Sequence, residues 1–269
     1  GRFGVSDENN CLKLGYDPRQ RCWPGWLDAL PLQRSLLPKV VAVGTRIGRV
    51  SASTAVRLGL PGDTWVVSGT TDSNAATLAA GVDRIGQAVT SLGSTLVLKV
   101  LSERPVVSAR FGVYSHRLGE RWLVGGASNS GGAVLRRFFS DAELRRLSTN
   151  IEPHVQSDLN YYPLPGRGER FPVCDPDMLP RIEPRPANDV AFLHGLLEGM
   201  ANIEAQGYRR LADLGAPYPD VVYSSGGGAA NAVWRQIRQR CLGVPVDLAR
   251  HTEAAYGTAM LARAAWATG

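Results

Sequence analysis

The chain has 269 residues, 44% hydrophobic and 20% charged, which is enough to bury a substantial core and excludes a disordered segment. Its net charge of +6 arises from 30 basic and 24 acidic residues. The densest arginine groups (Arg136, Arg137, Arg145, Arg146 and Arg235, Arg238, Arg240) lie in helical patterns, and no aromatics alternate with them as a base-stacking surface needs, so they read as solvated helix faces rather than a nucleic-acid surface.

The first forty residues are rich in turn formers, with a short apolar stretch from Trp23 to Leu30. Residues 51–59 read as a helix that Ser51 or Ser53 caps and Gly59 ends. A turn at Pro61, Gly62 and Asp63 leads to TWVVSG, residues 64–69, a short run suited to a buried strand. It feeds straight into TTDSNAATLAAG, which predicts a helix over Asn74–Ala80 with a stop at Gly81.

From residue 86 the pattern changes. Residues 87–100 predict two strands around a glycine turn, and a second hairpin turns near Leu118–Glu120. Residues 129–139 read as a helix opening at a glycine-rich step. The proline-rich stretch 140–185 reads as loop with short helices. Apolar positions three and four apart predict a long helix over 188–213. VVYSSGGGAANAVWRQIRQRCLG then reads as strand, glycine loop and helix with a stop at Gly243. VPVDL is a last strand, and residues 253–267 a final helix. Strand–turn–helix units with hairpins between them predict an α/β fold. A boundary near residues 82–86 divides the chain into 1–83 and 84–269.

Three junctions carry polar chemistry. Gly69-Thr70-Thr71-Asp72-Ser73 sits where a strand passes into a helix, where side chains face the crevice beyond the strand. A carboxylate there, Asp72, serves either as a helix cap or as the base that accepts a hydroxyl proton during phosphoryl transfer. At Ser91-Leu92-Gly93-Ser94-Thr95 a glycine lets backbone approach a ligand, and Ser94, Thr95 and nearby amides suit a phosphate; taken alone, these residues fit an ordinary hairpin turn better. Ser224-Ser225-Gly226-Gly227-Gly228 lies between a strand and a helix N-terminus, which favours anions, and Asn231 is placed to reach a base or ribose. No Gly-Lys-Ser/Thr follows, so it is not a Walker loop. The segment Gly125–Gly132 reads either as nucleotide lining or as a flexible helix entry. His116, His154, His194 and His251 show no metal or nucleophile spacing, and Cys11, Cys22, Cys174 and Cys241 form no C-x-x-C pair, which argues against zinc and for reduced thiols. With no run of about 18 apolar residues and no signal peptide at the start, the expected compartment is the cytosol, or an organelle after removal of a targeting segment.

In this order, GTTDSNAATLAAG, TSLGSTLVL, YSSGGGAANAVWRQIRQRCLGVPV and the closing EAAYGTAMLA resemble the FGGY carbohydrate kinases, and SDENNCLKLGYD is similar to a segment near their sugar pocket. The resemblance spans nearly the whole chain and is nearest to the plant and cyanobacterial branch of D-ribulose (xylulose kinase-like) kinases. It implies two actin-like, ribonuclease H-like domains that close on a cleft. The second domain would be complete, at 84–269, and the first partial, at 1–83. It implies Asp72 as catalytic base, with Ser73 beside it on the sugar. It further implies Gly93, Ser94 and Thr95 on the γ- and β-phosphates of ATP, Gly227, Gly228 and Asn231 on the adenosine, and magnesium bridging the phosphates. The expected substrate is D-ribulose, then D-xylulose, then glycerol or another polyol, with no nucleic-acid or membrane partner. The family's opening Asp-x-Gly-Thr turn has no counterpart here, so the chain is expected to be a fragment. Non-catalytic binding of ATP or sugar is the alternative that this leaves.

Overall fold

The computed structural model describes residues 3–267. In chain order the elements are β1 Val5–Asp7, α1 Glu8–Leu12, β2 Lys39–Val41, β3 Arg46–Arg49, α2 Ala52–Leu58, β4 Trp65–Val67, α3 Asp72–Ala79, β5 Gln87–Leu92, β6 Leu96–Ser102, β7 Tyr114–Leu118, β8 Arg121–Ser128, α4 Gly132–Leu135, α5 Asp141–Ser148, α6 Asp189–Asp213, β9 Val221–Ser225, α7 Ala232–Leu242, β10 Val246–Leu248 and α8 Ala254–Ala267. By its contacts the chain divides into two units. One holds residues 1–79, 116–122 and 253–269, and the other 80–115 and 123–252. The cut at 79/80 lies four residues before 83/84, and the chain returns to the first unit twice.

In the first unit β1 pairs parallel with β2, and β3 pairs antiparallel with β4. Helix α2 forms where expected: Ser51 Oγ accepts from the Thr54 amide, and Gly59 closes the helix in the left-handed region at φ 64°. Helix α3 packs on α8 so closely that a Cβ at Gly257 would stand 1.8 Å from the Ala75 carbonyl oxygen. Only glycine permits that approach. The first forty residues, expected to be irregular, hold β1 and α1. The Asp7 carboxylate caps α1 by accepting from the Asn9 and Asn10 amides at 3.0 Å. A three-residue strand and a five-residue helix are too short to show a period in the sequence.

The second unit is built on strands in the order β10-β9-β5-β6-β8, within a six-stranded sheet that ends in β7. Strand β5 runs antiparallel to β6 and parallel to β9, which in turn runs parallel to β10. The hairpin comes from the glycine turn at 93, and the parallel strands from crossovers through α6 and α7. Helix α6 contributes Phe192, Leu193, Leu196, Leu197, Met200 and Ile203 to the buried core.

Two expectations need correction. The helix expected over 129–139 is only Gly132–Leu135. Residues before it are held in an extended run by side-chain bonds described below, and i→i+3 bonds to Val134 and Leu135 wind up the end. Arg238, read as part of a solvated face, is 0% exposed. Its guanidinium donates to both Glu204 carboxylate oxygens at 2.6 and 2.7 Å and to Ser224 Oγ at 2.6 Å. Glu204 also accepts from Thr90, whose hydroxyl lies 2.8 Å from the Tyr208 hydroxyl. Partnering on all sides is what makes burial of that charge tolerable.

Candidate functional site

The residues singled out in the sequence fall into two sets, one in each unit. In the first unit Asp72 is the first residue of α3, and its side chain is exposed. Its Oδ1 accepts from the amide of Ser73, its own neighbour, at 2.7 Å. It does not cap the helix by reaching N2 or N3; the Thr71 carbonyl takes the first helical bonds, from Asn74 and Ala75. No partner engages Asp72 Oδ2 among the described residues. Ser73 is also exposed.

The strand–helix junction before Asp72 is tied to α1. Asn9 is fully buried; its Nδ2 donates to Thr70 Oγ1 and to the Arg117 carbonyl, both at 2.9 Å, and its Oδ1 accepts from the Arg117 amide. Three segments distant in sequence are therefore fixed by one amide side chain. Beside it Glu8 is buried, and its Oε1 has no hydrogen-bond partner among the described residues. Burial pushes its carboxyl above the usual range, against the pull of Arg117 and Arg21. The Asn9 contact is not legible in the sequence, where SDENN only resembles a sugar-pocket segment. An Asn in a turn-rich opening carries no period that marks it.

In the second unit the two glycine turns lie side by side. Strand β5 ends at Leu92 and runs into Gly93-Ser94-Thr95. Strand β9, its parallel neighbour, ends at Ser225, in register with Ser91, and runs into Gly226-Gly227-Gly228. A Cβ on Gly226 would meet the Leu92 carbonyl at 2.9 Å, and one on Gly228 would meet the Leu92 Cβ at 2.9 Å and the Trp234 ring at 2.6 Å. Both glycines are needed for packing, and Gly226 adds a positive φ of 80°. Gly227 is different: nothing lies within 4 Å of its missing Cβ. Its exposed backbone, with Ser94 and the half-buried Gly93 and Thr95, forms a polar rim at the ends of two parallel strands.

Asn231 caps α7. Its Oδ1 accepts from the Trp234 amide at 3.0 Å, and its Nδ2 donates to Ser148 Oγ at 2.9 Å. Among the described residues, one amide hydrogen remains uncommitted. A short 3-10 turn, Gly227–Ala230, precedes the cap, so the α7 N-terminus opens behind the loop.

The turn at 93–95 rests on Ser130–Ala133. The Leu96 amide donates to the Ser130 carbonyl, the Gly132 amide to the Gly93 carbonyl at 2.9 Å, and the Ala133 amide to the Ser94 carbonyl at 3.2 Å. The end of the glycine-rich step at 125–132 thus backs the turn at 93–95. Among the described residues no group of three or more His, Cys, Asp or Glu is placed to hold a metal, and no helix is long and apolar enough to cross a membrane.

Comparison with known proteins agrees with this architecture. The chain is 25% identical over 270 residues to an autoinducer-2 kinase of Escherichia coli (strain K12), covering 92% of this chain and 51% of that protein. It is 27% identical over 248 residues to an L-fuculokinase of Salmonella typhi, covering 84% and 48%. A crystal structure of a xyloylose kinase from Brucella ovis superposes with a TM-score of 0.86 at 23% identity, covering 99% of this chain and 57% of that one. The chain therefore spans about half the length of the curated relatives it matches, and it has the actin-like, ribonuclease H-like fold of the sugar kinases. Residues 88–266 match the C-terminal domain of the FGGY carbohydrate kinases, and the chain belongs to that family.

Proposed function

We propose that this chain carries the nucleotide-holding turns and the catalytic carboxylate of an ATP-dependent sugar kinase, acting on a small ketose. The observation that carries the reading is the pair of glycine turns at the ends of parallel strands β5 and β9, with Gly227 open and the α7 N-terminus behind it. Backbone amides at such an edge suit the oxygens of a polyphosphate. Gly93, Ser94 and Thr95 take the β- and γ-phosphates. Gly227 and Gly228 border the adenosine, and the uncommitted amide hydrogen of Asn231 is available to it.

Asp72 accepts the proton of the sugar hydroxyl as that oxygen bonds to the γ-phosphorus, and the bond from that phosphorus to the bridging oxygen breaks to release ADP. Its exposure and its free Oδ2 fit that role, and Ser73 contacts the sugar beside it. A magnesium ion held mainly by phosphate oxygens and water needs no protein cage, and a carboxylate such as Asp72 suits its outer sphere. Such an ion would neutralise charge that develops on the phosphates. D-ribulose is the first substrate to test, with D-xylulose and glycerol after it. The second reading is nucleotide or sugar binding without turnover.

The test is titration of ATP by calorimetry, followed by ADP release over the sugar panel, on the native protein of which this chain is all or part. ATP binding with sugar-dependent ADP release that D72N abolishes supports the kinase. ATP binding without turnover on any sugar supports the second reading. Undiminished turnover in D72N removes Asp72 from the mechanism.

A further inference from the structure

The buried carboxylate of Glu169 has no part in the chemistry above, yet it lies behind the phosphate turn. It is 3% exposed and sits in the proline-rich loop that follows α5. Its Oε2 accepts from Ser128 Oγ at 2.6 Å and from the Tyr162 hydroxyl at 3.1 Å. Its Oε1 accepts from the Asn129 amide at 2.8 Å, from the Arg170 amide at 2.9 Å and from the Phe171 amide at 3.4 Å. Five donors therefore converge on one buried carboxylate. The same stretch is stitched twice more, by Asn129 Nδ2 to the Gly168 carbonyl at 2.9 Å and by Arg170 Nε to the Ala127 carbonyl at 2.7 Å.

What this carboxylate holds is the end of β8, where the chain enters Ser130–Ala133. That segment makes the three backbone bonds that shape the turn at 93–95. Contact is too close for slack: Gly131 lies at φ 149°, and a Cβ there would stand 2.7 Å from the Ser94 carbonyl oxygen and from Thr95 Cα. A displacement of 128–130 must therefore pass to Gly93, Ser94 and Thr95. Burial, and then the neighbouring Glu169 charge, push the Tyr162 hydroxyl well above its ordinary range, so it stays a donor to the carboxylate at any working pH.

We propose that Glu169 is a positioning residue for ATP, fixing the phosphate turn through Ser128, Asn129 and the Ser130–Ala133 segment. The inference rests on the ATP reading above. It says that the acceptance of five hydrogen bonds at residue 169 sets nucleotide affinity without touching the nucleotide.

The test compares E169Q and S128A with the unaltered protein, reading ATP affinity by calorimetry and, where turnover is present, KM for ATP against KM for sugar. The control is E198Q. Glu198 is also a buried acceptor of this unit, but it pairs with Arg240 and the Ser157 amide and makes no contact with the turn. In E169Q the Kd for ATP should rise roughly ten- to a hundredfold with the sugar KM unchanged, as expected when a ligand-binding backbone shifts by a fraction of an ångström. In S128A, which removes one of the five donors, the rise should be about two- to tenfold. E198Q should lose stability while its ATP affinity stays within about twofold. If E169Q does not fold, S128A carries the comparison. Folded E169Q or S128A with unaltered ATP affinity overturns the inference, as does an equal loss in E198Q, which would show general loosening of the unit. If the unaltered protein binds no ATP, the functional reading itself fails and takes this proposal with it.

Discussion

The ion pair of Arg238 with Glu204 offers the sharpest check on the packing of the second unit. Both side chains are 1% exposed, and the guanidinium bonds bidentately to the carboxylate while its third nitrogen reaches Ser224. Replacing Arg238 with Met keeps most of the volume but leaves a buried carboxylate whose remaining donor is the Thr90 hydroxyl. Breaking a buried pair from one side costs about 3–5 kcal/mol, because the other charge is stranded. At about 2–4 °C per kcal/mol for a domain of this size, Tm should fall by roughly 6–20 °C. Replacing both, as E204L/R238M, removes the stranded charge. Ser224 then loses one partner, a cost of about 1–3 kcal/mol for a buried hydroxyl, while Thr90 and Tyr208 keep each other. The double variant should therefore be more stable than R238M alone. Urea titration followed by tryptophan fluorescence reads this directly, since Trp234 lies on the same helix as Arg238. A single-variant loss below about 1 kcal/mol, or a double variant whose loss equals the sum of the singles, would refute the reasoning.

Three further outcomes follow from the site. D72N should lower kcat on the preferred sugar by about 10²- to 10⁴-fold with the Kd for ATP unchanged, read by ADP release and calorimetry. Because the Glu8 carboxyl is raised above its usual 4.5, the folded state favours its protonated form. That contribution is present below pH 4.5 and is lost as the pH rises through the higher folded-state value, so E8Q should gain stability relative to the parent as pH rises through that window and match it at lower pH; a pH-independent difference would contradict this. Of the four thiols, Cys22 and Cys174 are exposed whereas Cys11 is buried and burial pushes Cys241 up to about 11, so an aromatic disulfide reagent at pH 8 should titrate two thiols rapidly and the others only on unfolding.

The sequence made the long elements and the order of the site motifs legible because each rests on a local rule. The apolar period of α6 stays constant from Val190 to Leu211, and Gly59 and Gly243 stop helices by adopting left-handed φ values of 64° and 71°. What stayed hidden depends on partners far away in the chain. Arg238 looks like its neighbours Arg235 and Arg240 until Glu204, 34 residues earlier, is seen beneath it. Asn9 acquires its meaning only from Thr70 and Arg117, 61 and 108 residues away. Glu169 sits in a stretch with no period at all, and nothing in its local sequence marks it as the acceptor for Ser128 and Asn129, 41 and 40 residues before it. The glycines show the same limit within a single motif. Gly226, Gly227 and Gly228 are equivalent as letters, but two are required because protein fills the space where a Cβ would stand, whereas around the middle one that space is open. A glycine run thus announces close approach without saying whether the approaching group is the chain itself or a ligand. Only the packed structure separates them, and it leaves Gly227 as the glycine of the run whose freedom is unexplained by packing.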